Sequence, residues 1–174
     1  VYQDAVEHGL WKNNPSNEHF LMQTMREISE ALDANDDNKH AGVDYFKSQI
    51  EVDNVCSPEA LFTIVFDVYI KDTVEDELAD VVLMLLSFSG YRDINLANHE
   101  KYQAYSRDNY KAMQPQTFEE FCFDLCRLIT LGHIIEPIYI VMAYCEYHGI
   151  DLAWHIEQKM KYNTTRGYLH GKKN

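Results

Sequence analysis

Between Val74 and Leu86 the chain reads VEDELADVVLMLL, and this stretch limits the fold more than any other. Wound as a helix at about 100° per residue, it puts Glu77, Val81, Met84 and Phe88 in one column. Asp80 shares a second column with Leu83 and Ser87, and valines and leucines cover the rest of the wheel. A helix that is apolar on every side has to be surrounded, so the segment predicts the middle of a helical bundle. An ionised Asp80 in such a place is costly unless it is paired or coordinates a cation.

The remaining sequence agrees with an all-α fold. Seven Gly and four Pro leave long stretches with helical periodicity. NPSNEHFLMQTMREISEALDA predicts a helix capped by Ser16 or Asn17, with Leu21, Met25, Ile28 and Leu32 as its apolar stripe, and NDDNKHAG ends it. YFKSQIEV reads as a short helix, and Ser57-Pro58 opens another through EALFTIVF. FTIVFDVYI has the β-branched and aromatic content of a strand, but a lone strand would have no partner. Asp72 or Thr73 caps the central helix. YRDINLANHEKYQAYSRDNYKAMQPQT reads as a polar, Tyr-rich connection. Thr117 then caps FEEFCFDLCRLITL, Gly132 breaks it, and IIEPIYIVMAYCEYH runs to Gly149. Asp151 caps the last helix, which stops at Gly167. The length fits one domain, residues 1–174.

Charge narrows the class of partner. The net charge is −13, yet residues 159–174 hold Lys159, Lys161, Arg166, Lys172 and Lys173 and no acid. The body before that tail therefore carries −18, which argues against a nucleic-acid backbone as ligand. A small anion fits better, where the basic tail meets the acidic body. No apolar run is long enough to span a membrane and no secretory signal is visible, so a cytoplasmic protein is expected. Cys56, Cys122, Cys126 and Cys145 show no paired CxxC spacing and read as buried free thiols.

Two pairs of acids carry the chemistry. Helix capping explains Glu75 and Asp76, at the start of the central helix, but weakens at Glu77 and fails for Asp80. Glu27 and Glu30 repeat the spacing on the first long helix, about 4.5 Å apart along its axis. A single pair of this kind usually marks a solvated face. Two pairs on two core helices predict four carboxylates, Glu27, Glu30, Glu77 and Asp80, around a hard cation, Mg²⁺ or Mn²⁺. A di-iron bundle is set aside because none of the eight His residues lies three after a Glu. In KMKYNTTRGYLHGKKN, Lys159, Asn163 and Arg166 share a helix face, followed by His170 and Lys172. These groups suit phosphate oxygens and a sugar or base edge.

EISEALDA, VEDELADVVLML and KMKYNTTRGYLHGKK, in that order, resemble the MazG-like all-α nucleoside triphosphate pyrophosphohydrolases, and EHGLW near the start fits the same family. The resemblance covers about a third of the chain and rests on an ExxE block followed by an ExxD block. The chain departs from the family in its longer gap between the two blocks, in an extra segment near residues 92–135, and in Gly167, where members often carry Pro. The implied fold is a helical bundle of that type with inserted segments at 36–72 and 92–135. The implied activity is Mg²⁺-dependent hydrolysis of a nucleoside triphosphate to the monophosphate and pyrophosphate. Glu27 or Glu30 would orient the attacking water, and Lys159, Arg166 and Lys172 would offset phosphate charge. Tyr162 and Asn163 would meet the sugar or base, with Trp11 or Phe20 as stacking candidates, and His170 would close over the phosphates. A homodimer or higher homo-oligomer is implied as well. The alternative is a non-catalytic helical nucleotide-binding or scaffold protein with a structural metal site.

Overall fold

The computed structural model describes residues 1–7, 9, 11–51, 57–96 and 117–165. They form eight helices and no strand: α1 (Tyr2–Glu7), α2 (Asn17–Asp36), α3 (Val43–Ile50), α4 (Pro58–Tyr69), α5 (Val74–Tyr91), α6 (Phe118–Thr130), α7 (Ile135–His148) and α8 (Leu152–Thr165). No helix among the described residues is long and apolar enough to cross a membrane.

Several boundaries have a local cause. The Ser16 hydroxyl accepts from the His19 N–H and starts α2. Ser57 caps α4 with Pro58 in its first turn, and Thr73 caps α5 by accepting from the Asp76 N–H. Thr117 and Glu120 form a reciprocal capping box at α6. Gly149 ends α7 at φ 73°, a left-handed position. The FTIVFDVYI stretch is helical: with Ser57 and Pro58 fixing its start, Phe62, Val65 and Phe66 align on one buried face at helical spacing.

α5 is the central helix, in contact with α1, α2, α7 and α8. Its closest companion is α2. The face that α2 buries holds Phe20, Thr24, Ile28, Ala31 and Ala34, while Leu21, Met25 and Leu32 are only partly covered. Ile28 of the expected stripe is buried, while Phe20, Thr24 and Ala31 are covered in place of Leu21, Met25 and Leu32, each one position earlier. Small residues on this buried face let neighbouring helices lie close, and the Thr24 hydroxyl donates to the Phe20 carbonyl. The loop after α2 fixes the register: Lys39 O accepts from Val74 N–H, and the Glu75 carboxylate accepts from Ala41 N–H at 2.9 Å.

The apolar interior forms two clusters. The larger joins α2, α5, α6 and α7, and the smaller gathers Phe46, Phe62, Val65, Phe66, Ile70 and Tyr162 from α3, α4 and α8. Cys122 and Cys145 lie in the larger as free thiols, and burial pushes both up to about 12. α5 is enclosed by its own chain, with Leu78, Ala79, Val81 and Leu85 fully covered. Its all-round apolar wheel is thus explained within one copy and is no argument for a dimer. The exposed large apolar side chains lie elsewhere, among them Ile64 and Val68 on α4 and Phe123 on α6.

Candidate metal centre

α2 and α5 bring three of the four expected carboxylates together. Glu27, Glu77 and Asp80 each offer an oxygen within 4.8 Å of the others. Oxygens on opposite sides of a Mg²⁺ or Mn²⁺ ion stand about 4.2 Å apart, so one ion fits with small side-chain rotations. Glu27 reaches this point because it lies three residues after Thr24 and four before Ala31, at the edge of the face that α2 presses on α5. Glu30 turns away to Arg26, four residues earlier, with Nε to Oε1 at 2.9 Å. The structure therefore gathers a set of three, with Glu30 a partly exposed neighbour.

Burial dominates the electrostatics. It raises Glu27 to about 7, helped by the Asp80 and Glu30 charges. It raises Glu77 to about 8; Lys159 opposes this, while Asp80, Asp76 and Glu27 add to it. Acids so displaced hold protons where ordinary carboxylates would not, and a divalent cation is the natural replacement for those protons. An all-oxygen, acid-only donor set favours a hard ion.

Beside these three lies a fourth acid that sequence reasoning assigned to capping alone. Asp76 is buried, and its Oδ2 accepts from Lys159 Nζ at 2.7 Å and from the Asp72 N–H at 3.0 Å. Its Oδ1 has no hydrogen-bond partner among the described residues. Lys159 Nζ also lies 2.8 Å from Asp80 Oδ2. Burial alone would push the Lys159 ammonium down, but the Asp80 and Asp76 carboxylates reverse this and hold it above its ordinary value. Lys159, expected on a phosphate, is thus an internal ion-pair partner in this structure. Its position follows from α8, which buries Leu152, His155, Lys159 and Tyr162 along one face.

Tyr162, expected at a sugar or base, stacks on Phe66 at 4.3 Å and donates its hydroxyl to Asp67 Oδ1 at 2.6 Å. Asn163 is half-buried one position further on. Arg166, His170 and Lys172 lie outside the described residues. Trp11 and Phe20 stack on each other at 5.1 Å, Trp11 also stacks on Tyr91 at 4.0 Å, and its Nε1–H donates to Ser87. Both rings are parts of an aromatic cluster that pins the N-terminal segment to α2 and α5.

Comparison with protein-family models, with curated proteins and with solved structures found no match for this chain.

Proposed function

We propose that the chain is a Mg²⁺-dependent hydrolase of nucleoside triphosphates, similar to the MazG-like all-α pyrophosphohydrolases, cleaving between the α- and β-phosphates. The observation that carries this reading is the meeting of Glu27 on α2 with Glu77 and Asp80 on α5, one acid set drawn from both motif blocks. A bound Mg²⁺ or Mn²⁺ would neutralise phosphate charge and lower the pKa of a coordinated water. Glu27, Glu77 and Asp80 would hold the ion, and Glu27 or its neighbour Glu30 would orient the attacking water. Lys159, Arg166, His170 and Lys172 are assigned to the phosphates, and Tyr162 and Asn163 to the sugar or base, by resemblance. For Lys159 this requires a phosphate oxygen to take the place of Asp80 beside its ammonium while Asp76 keeps its hold.

The test is a panel of ribo- and deoxynucleoside triphosphates incubated with Mg²⁺ and assayed for pyrophosphate. One equivalent of pyrophosphate per monophosphate is expected for the preferred nucleotide. Nucleotide binding without pyrophosphate release would favour the non-catalytic alternative, and release of orthophosphate alone would contradict the cleavage position.

A further inference from the structure

Lys159 and a divalent ion cannot both take full possession of Asp80. The ammonium lies 2.8 Å from Asp80 Oδ2, and Asp80 is also one of the three acids whose oxygens converge. The lysine side chain is only 7% exposed and that of Asp76 1%, whereas Asp80 keeps 22%. The Asp76 side of the bridge is therefore sealed, and the Asp80 side is the one that can turn. Asp76 is held in its turn by the Asp72 N–H. Nor can Lys159 swing out to water, because its helix buries His155 and Tyr162 on either side of it along the same face. Two cations at contact distance from one carboxylate repel each other strongly where water is excluded.

We propose that Lys159, anchored by Asp76, is a built-in counter-cation that competes with the divalent ion for Asp80 and sets how tightly that ion is held. The inference rests on reading Glu27, Glu77 and Asp80 as a divalent-cation site. In the absence of the ion, Lys159 offsets carboxylates that would otherwise repel each other across the α2–α5 contact. When the ion binds, Asp80 turns to it and Lys159 withdraws onto Asp76. The ion is then held loosely enough to exchange, unlike one locked into the fold. Lys159 acts here as a positioning residue, through Asp80.

The test is calorimetric titration of Mn²⁺ into the full chain at mildly alkaline pH, without nucleotide. Lys159→Met, and the double variant Asp76→Asn/Lys159→Met that removes the buried Asp76–Lys159 pair together, should each bind Mn²⁺ about tenfold or more tightly than the unaltered protein. Asp76→Asn alone keeps the ammonium but weakens its anchor. It should bind Mn²⁺ several-fold more weakly, although Asp76 is not one of the three converging acids. These opposite signs distinguish competition from general damage to the fold. If Lys159→Met and the double variant bind Mn²⁺ no more tightly than the unaltered chain, the proposal is overturned and the cation site stands. If the methionine variants do not fold, Asp76→Asn decides, and unchanged Mn²⁺ binding in it overturns the proposal. Absence of Mn²⁺ binding in the unaltered chain and in every variant overturns the cation site itself, and the proposal with it.

Discussion

Asp80 stands between a resident ammonium and the converging oxygens of Glu27 and Glu77, and its substitution should separate charge from shape. Asp80→Asn keeps an oxygen for Lys159 while removing the charge an ion needs. Titration should show Mn²⁺ affinity reduced by about tenfold or more, and pyrophosphate release should be abolished, with a melting temperature within a few degrees of the original. Acidity makes a second prediction at this scale. Burial, chiefly, raises Glu27 to about 7 and Glu77 to about 8 in the folded chain, against an ordinary value of 4.5. Above the ordinary values the unfolded chain has already released these protons and the folded chain has not. Their contribution to stability is thus present at low pH and lost as pH rises through the folded values. Without metal, denaturation from about pH 5 to about pH 9 should show a loss on the order of a few kcal/mol, and Glu77→Gln should flatten the slope. Stability that is constant or rises over that range would contradict the burial of these acids. The pairing of Glu27 with Glu77 and Asp80 was legible, because two i, i+3 acid pairs fall on two helices that both carry core residues. The role of Asp76 was not, since its partner Lys159 is 83 residues away. The outward turn of Glu30 had a signal that deserved more weight: Arg26, four residues earlier on the same helix.

Among the elements, α5 depends on how it begins and on what it lets close at its other end. Thr73 is buried, accepts from the Asp76 N–H and donates to the Ile70 carbonyl at 2.6 Å. Thr73→Ala should destabilise the protein by about 1–2 kcal/mol in chemical denaturation, and it should also weaken Mn²⁺ binding by loosening the turn that carries Asp76 and Glu77. At the far end, a Cβ on Gly90 would lie 2.5 Å from Tyr2 Cβ. Helix propensity favours alanine there by about 1 kcal/mol, but the contact is with the root of a side chain and cannot be relieved by rotation. Gly90→Ala should therefore lower stability by about 1–3 kcal/mol, displacing α1 from α5. A gain in stability would mean that α1 does not rest there. The caps at Ser57, Thr117, Gly149 and Asp151 were readable because their chemistry is local. The buried face of α2 was legible at Ile28 but read one position late at Leu21, Met25 and Leu32, because a count of large apolar residues overlooks Ala31 and Ala34. Those small side chains become core only against a partner that sequence periodicity does not name.

Across the whole molecule, a net charge of −13 and a cluster of buried acids both oppose compaction, and a divalent ion would relieve part of each. Mg²⁺ or Mn²⁺ at about a hundred times its dissociation constant should stabilise the fold by about 2.7 kcal/mol, read as a rise in melting temperature that Glu77→Gln abolishes. The two tryptophans give a way to follow such changes separately in each apolar cluster. Trp11 packs on the larger, stacked with Phe20 and Tyr91, and Trp154 packs on the smaller, edge-on to Phe46 with Lys47 over its ring. Their indoles sit in different surroundings, so their emission should differ, and single Trp→Phe replacements would assign each signal. α8 binds the clusters into one unit, since Lys159 grips α5 while Tyr162, less than a turn away, lies against α4. The two emission signals should therefore be lost at the same denaturant concentration in the unaltered chain. In Lys159→Met, where that grip is gone, the Trp154 signal should be lost first.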